Sequence, residues 1–145
     1  MDEKSTEKEL LTAIFKNAHI GLQAISDIEP ETDNEEMKKE LADEYEGYEK
    51  FISSISAYMK ERGIETKDLN PMKKAMMYTA VKMDTIKDDS RSHVAEMMIK
   101  GTVTGITELG SLITANKEAP QAVIKFAQEL KDLEECYEKR LKALL

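Results

Sequence analysis

Leu41-Ala42-Asp43-Glu44-Tyr45-Glu46-Gly47-Tyr48-Glu49-Lys50-Phe51-Ile52-Ser53-Ser54-Ile55 decides the fold. Its apolar side chains, Leu41, Tyr48, Phe51, Ile52 and Ile55, fall at helical spacings of three, four or seven residues on one face, and no strand alternation competes with that period. The same stripe reaches back to Met37 and forward to Met59. Asp33 or Asn34 supplies a cap, Glu35 and Glu36 favour the positive end, and Gly63 is the expected terminator. One residue breaks the pattern. At about 100° per residue, Glu44 falls roughly 20° from the line through Met37 and Ile55, inside the apolar face. Burying an ionised carboxylate costs several kcal/mol unless a cation, a proton or hydrogen bonds answer it.

Working outward, the flanking sequence reads as more helix. Thr6-Glu7-Lys8-Glu9 has the form of a capping box, with Thr6 as N-cap. Leu11, Ile14, Ala18, Gly21, Ile25 and Ile28 follow at helical spacing. Ile28-Glu29-Pro30-Glu31 then stops the helix, because proline disfavours helical geometry in the residue before it. Asn70-Pro71 opens a shorter third helix with Met72, Met76, Thr79, Met83 and Ile86 on its inner edge. Asp88 to Ser92 forms a polar break. A fourth helix is expected from about Ser92 to Ala115, with Val94, Met98, Gly101, Gly105, Leu109 and Leu112 on its stripe. After the turn Asn116-Lys117-Glu118-Ala119-Pro120, a fifth carries Val123, Phe126, Leu130, Tyr137, Leu141 and Leu144. Two long pairs separated by a short helix predict an all-α four-helix bundle with a helical crossover between the pairs. A five-helix up-and-down array is the alternative.

Composition bounds the rest. The 145 residues suit one domain, 1–145, able to bury a core. A net charge of −8 argues against nucleic acid as a partner, since binding it needs a basic surface. No run approaches the ~18 apolar residues of a membrane span, so no membrane partner is expected. The polar, acidic start Met1 to Glu7 is unlike a secretory signal, which makes the cytoplasm the expected location. One cysteine, Cys136, excludes an internal disulfide. With two histidines, any metal site must draw mainly on carboxylates, favouring hard or borderline ions.

Glu134 repeats the anomaly of Glu44. It falls roughly 20° from Val123 on the fifth helix, between Leu130 and Leu141. Tyr48 and Tyr137 stand one turn or less beyond the two glutamates on the same faces. Counting along the helices from the two hairpin turns puts both acids near mid-bundle, within about 5 Å in height. The same count places Asn17 and Ala18 opposite Glu44, and Lys100 and Gly101 opposite Glu134. Glu44, Tyr48, Glu134, Tyr137, Asn17 and Lys100 are therefore the candidate core polar site, with Glu44 and Glu134 its candidate metal ligands. The small residues Ala18, Gly21, Gly101 and Gly105 face them. Close helix packing and room for a metal, water or small ligand both account for glycine there, against its helical penalty of up to ~1 kcal/mol.

In architecture nearly the whole chain resembles the ferritin-like superfamily, and small bacterial members of it with a degenerate metal site, some of them similar to spore-coat proteins. Ser92-His93-Val94-Ala95-Glu96-Met97-Met98 and the glycine-rich run after it are the most reminiscent stretches. The resemblance implies a core in which two helices each supply a Glu and two others a Glu-x-x-His to hold two metals. Here Glu44-Tyr45-Glu46-Gly47 carries Gly and Glu134-Glu135-Cys136-Tyr137 carries Tyr where the histidines belong. Only the two glutamates match the six ligand positions, and Lys100 offers positive charge in place of metal if its stem reaches inward.

His93 and Glu96, three residues apart, form a secondary candidate pair, whose ordinary reading is a polar helix start. His19 points away from the apolar face. The nine methionines are read as flexible core filler rather than a soft-metal or peptide-binding surface. Cys136 lies off the stripe among acids that oppose a reactive thiolate. The expected function is action through structure, protein interaction or small-ligand binding, without a conventional di-iron site or required cofactor. The alternative is a carboxylate-dependent metal-binding protein or oxidoreductase using iron or manganese with Glu44, Glu134 and the tyrosines. A coat-like assembly is a third reading. Enzyme and binding protein both remain open at this point, as does a homo-oligomer.

Overall fold

A computed structural model describes residues 3–65 and 90–145, with side chains from residue 7 onward. The predicted third helix lies outside the described residues. Helix α1 spans Glu3–Ile28, α2 Glu35–Glu61, α3 Arg91–Ala115 and α4 Gln121–Lys142. Together they form an all-α four-helix bundle, compatible with a ferritin-like fold.

Local chemistry sets most of the helix ends. The Asn34 side chain accepts from Met37 N at 2.9 Å and caps α2, and Ser90 does the same for His93 N at 3.3 Å on α3. Gly63, at φ +72°, ends α2: its N–H donates to Lys60 O at 3.0 Å, and Ile64 N donates to Met59 O at 2.8 Å. This paired closure satisfies two carbonyls that the helix leaves open and needs a left-handed residue, which glycine supplies without strain. The capping-box reading of Thr6 is corrected. Helix α1 already runs through Thr6 from Glu3, where no residue breaks it. Glu7 instead enters the interior, 3% exposed, and its carboxylate takes a two-pronged ion pair from Arg62, 2.6 Å from Nε and 2.7 Å from Nη2.

The helices pack most heavily as two hairpins, α1 on α2 and α3 on α4. Partners between α2 and α4 show that these two run antiparallel. Arg140 meets Glu40, Tyr137 meets Glu44, and Tyr48 meets Glu134. Arg91, at the start of α3, pairs with Glu36 at the start of α2 (3.0 Å) and donates to Leu144 O just past the end of α4 (3.0 Å). Helices α2 and α3 therefore run in the same direction, and the chain leaves one at the end opposite to that where it enters the other.

The core contains the residues the periodicity selects: Leu11, Ile14 and Ile25 on α1, Met37, Leu41 and Ile55 on α2, Val123, Leu130 and Leu141 on α4, all 1% exposed or less. On α3 the stripe passes through Val94, Met98, Thr102 and Leu109, and Gly101 is exposed. Thr102 tolerates burial because its hydroxyl donates to Met98 O at 2.7 Å. Among the described residues nothing lies within 4 Å of where a Gly101 Cβ would sit. Gly101→Ala should therefore stabilise the fold by about 0.5–1 kcal/mol through helix propensity alone, read as a raised urea midpoint at unchanged slope. Among the described residues no helix is long and apolar enough to cross a membrane.

Candidate functional site

Glu44 and Glu134 are 1% and 2% exposed, and the cross-helix pairs Tyr137–Glu44 and Tyr48–Glu134 set them about one helical turn apart along the bundle. The Tyr48 hydroxyl crosses from α2 to donate to Glu134 Oε2 at 3.1 Å, and the Tyr137 hydroxyl crosses back to donate to the Glu44 backbone carbonyl at 3.4 Å. The two rings pack on each other, with centroids 5.4 Å apart and planes inclined by 59°. Glycines make the room. A Cβ at Gly21 would lie 2.7 Å from the Tyr48 hydroxyl, one at Gly47 would collide with the Tyr137 hydroxyl, and one at Gly105 would lie 2.6 Å from Glu134 Oε1. Three glycines on three helices thus each accommodate one polar core side chain. Gly101, by contrast, leaves space.

The two acids have different neighbours. Glu44 lies against Glu40, one turn earlier. Glu40 Oε1 accepts from Arg140 Nε at 2.9 Å, and Arg140 also reaches Asp43 Oδ2 at 3.5 Å and covers the Tyr137 ring. Neither Glu44 oxygen nor Glu40 Oε2 has a donor among the described residues. Two carboxylates are only acceptors, so hydrogen bonding between them needs a proton. Burial first, then hydrogen bonding to Glu40 and repulsion from it, push the Glu44 carboxyl far above the ordinary value of 4.5. Protonated Glu44 then donates to Glu40, which is held by Arg140.

Glu134 faces the other way, towards α1 and α3. Burial raises its carboxyl to about 8, the Tyr48 hydrogen bond opposes the rise, and Glu108 adds to it. Glu134 Oε1 and the neighbouring Asn17 Oδ1 have no hydrogen-bond partner among the described residues. Asn17 is 7% exposed. Its Nδ2 donates to Gly105 O at 3.1 Å and to Glu108 Oε2 at 3.4 Å, which aims Oδ1 towards the same point as Glu134 Oε1. Burial, followed by the nearby Glu134 and Glu44 charges, raises Tyr48 well above its ordinary value, so it stays a hydrogen-bond donor. The Tyr137 phenol is raised by burial and by Glu44.

A cavity of about 310 Å³ opens beside Glu134, between α1 and α3. Ile20, Ala24, Ile28, Met97 and Met98 make it apolar, Asn17, Tyr48 and Glu134 line its inner end, and exposed Gly101, Thr104 and Glu108 line its rim.

The structure brings together five of the six sequence candidates, Glu44, Tyr48, Glu134, Tyr137 and Asn17. Lys100 is corrected. Its side chain is 78% exposed and pairs with Glu96 at 3.7 Å on the helix surface, because an ammonium that finds a carboxylate one turn away in water gains nothing by entering an apolar core. Glu96 meets Lys100 on the helix surface, and His93 is half-buried at the start of α3. His19, expected to point away from the apolar face, is half-buried, its ring 5.6 Å from that of Phe15 and inclined to it by 46°. Glu40, Arg140 and Glu108 were missed. The sequence signal for the first was the like-charged pair Glu40 and Glu44 at i,i+4, which asks for a proton or a cation.

The donor set does not fit a two-metal centre. Among the described residues no three His, Cys, Asp or Glu side chains converge. The histidine position after Glu44 is Gly47, whose open face holds the Tyr137 hydroxyl, and the one after Glu134 is Tyr137 itself. Comparison with known protein families, with curated proteins and with solved structures finds no match to this chain.

Proposed function

We propose that the protein is a small-molecule binding bundle, built on a ferritin-like scaffold whose metal motifs have been replaced, and that its ligand is an organic molecule with an apolar body. One observation carries this reading: an apolar cavity of about 310 Å³ ends on two buried oxygens, Glu134 Oε1 and Asn17 Oδ1, that have no hydrogen-bond partner among the described residues. Binding sites have this composition, mostly apolar walls with a few placed polar atoms, and this size range. About 150 Å³ is enough for benzene, so a ring with a short chain fits. Tyr48, fixed by Glu134 and seated on Gly21, gives the cavity a rigid inner wall.

The test uses 2-phenylethanol, a ring with a two-carbon chain and a hydroxyl, titrated into the full chain by calorimetry. Saturable binding of one molecule is expected, with a rise in melting temperature that follows ligand concentration. Gly101→Leu projects a side chain from the cavity wall and should abolish binding while the protein stays folded by circular dichroism. If 2-phenylethanol and its charged analogues all fail to bind the native chain, or if Gly101→Leu binds them equally well, the reading is wrong.

A further inference from the structure

The cavity has a sign as well as a shape. Its only charged lining residues, among those described, are Glu108 and Glu134; no lysine, arginine or histidine lines it. At its inner end two buried oxygens, Glu134 Oε1 and Asn17 Oδ1, converge on the surface of Gly105, each without a donor among the described residues. Unpartnered buried acceptors are costly, and a protein retains them where something else completes them. Resting on the binding reading above, we infer that the ligand is a primary amine, its ammonium group held by Glu134 and Asn17 and its hydrocarbon body lying between α1 and α3.

The chemistry of the two oxygens selects this group. Asn17 Oδ1 is an acceptor, and Glu134 Oε1 becomes one when its carboxyl is ionised, so a ligand that meets the ionised pair must donate, and an ammonium carries three donors and no acceptor. Glu134 Oε2 is already taken by Tyr48, and the Asn17 amide is turned by Gly105 O and Glu108, so both acceptors are oriented before the ligand arrives. Gly105 is what lets a head group approach: a Cβ there would stand 2.6 Å from Glu134 Oε1 and 3.3 Å from Asn17 Oδ1. Carboxylate and amine then answer each other's charge, which burial alone does not permit for either. A hard metal ion fits less well. It asks for six or more oxygens, where this end of the cavity presents two, and it has no use for the apolar walls of Ile20, Ile28 and Met98.

Binding is coupled to the proton on Glu134. The groups facing that carboxyl from other helices are Tyr48 of α2 and Glu108 of α3, with the uncharged Asn17 from α1. With its carboxyl at about 8, only a tenth of Glu134 is ionised at pH 7, so amine affinity should rise about tenfold from pH 7 to pH 9.

The experiment compares 2-phenylethylamine, 2-phenylethanol and 3-phenylpropionate on the full chain at pH 7 and pH 9, with Glu134→Gln alongside. We expect the amine to bind at least tenfold more tightly than the alcohol at pH 9, the propionate to bind most weakly, and Glu134→Gln to remove the amine's advantage over the alcohol and its pH dependence. The alcohol comparison on the native chain needs no variant and stands if Glu134→Gln folds poorly. Equal binding of amine and alcohol, or an amine preference that survives Glu134→Gln, overturns the amine inference and leaves the cavity as a binding site. Stoichiometric binding of manganese(II) that excludes the amine overturns it in favour of a metal. Failure of all three organic probes removes the binding reading itself.

Discussion

Raising the pH from 5.5 to 8.5 should lower the melting temperature by on the order of 10 °C, and Glu44→Gln together with Glu134→Gln should remove most of that dependence. The sign follows from proton linkage. Both carboxyls have folded-state values above the ordinary 4.5, Glu134 to about 8 and Glu44 further still, with burial as the main cause in each. The native state therefore holds two protons that the unfolded chain releases. Stability from this source is fully present below 4.5 and is lost as pH climbs through each folded value. Each group removes up to about 1.4 kcal/mol per pH unit in that window. Glu134 stops contributing above about 8, while Glu44 continues into the alkaline range. Most proteins with paired surface carboxylates behave oppositely between pH 3 and 6, which makes the direction diagnostic.

The glutamine variants separate the two acids. Glutamine has the shape of a protonated glutamate, and its amide can donate to Glu40 as the protonated carboxyl does. Glu44→Gln should be nearly neutral at pH 5.5 and clearly stabilising at pH 8.5, where it removes a buried group that is being forced towards ionisation. Glu134→Gln should behave similarly over a narrower range, since it also keeps an acceptor for the Tyr48 hydroxyl. Melts of the four proteins at matched ionic strength provide the check. A native protein that gains stability between pH 5.5 and 8.5 would place both carboxyls in an ionised, compensated state.

Gly47→Ala should destabilise the fold by about 1–3 kcal/mol, even though alanine is favoured over glycine inside a helix by up to ~1 kcal/mol. The new methyl group would occupy the position of the Tyr137 hydroxyl, with the ring Cζ only 3.2 Å away and Leu133 behind it. Tyr137 cannot step aside easily. It is 3% exposed, its ring 5.4 Å from that of Tyr48 and 5.5 Å from the Arg140 guanidinium. The hydroxyl is the clashing atom, so Tyr137→Phe should rescue Gly47→Ala. Alone, Tyr137→Phe loses a long hydrogen bond of 3.4 Å, a change on the order of 0.5–1.5 kcal/mol. A double variant clearly more stable than Gly47→Ala alone is the expected result of chemical denaturation. A strictly additive loss would show that the space beside Gly47 is not shaped by that hydroxyl. Gly101→Ala, with the opposite expected sign, controls for propensity.

What could be read from the sequence was whatever one helix decides by itself. The cap at Asn34, the stop at Gly63 and the inward direction of Glu44 and Glu134 are properties of period and local hydrogen bonding, and each appears in the structure. Counting residues from the hairpin turns put Glu44 and Glu134 within about one turn of each other, and the pairs Tyr137–Glu44 and Tyr48–Glu134 set them about that far apart. Features that depend on two helices at once were not legible. Lys100 sits near the fourth predicted stripe, but its direction was decided by Glu96 at the surface. The glycines read equally as tight packing or as open space. The structure assigns them individually: Gly21, Gly47 and Gly105 each back a polar side chain, while Gly101 faces the cavity. Glu40 and Arg140 are a hundred residues apart, and no periodicity joins them.

Both carboxyls in the helical core, Glu44 and Glu134, are expected to be neutral at physiological pH. Carbon-13 NMR of the glutamate side-chain carboxyls, assigned by comparing the native protein with Glu44→Gln and Glu134→Gln, reads that state directly. The expected titration has the Glu134 carboxyl changing near pH 8 and the Glu44 carboxyl still protonated there. Two resonances that complete their titration near 4.5, with the fold intact, would contradict it.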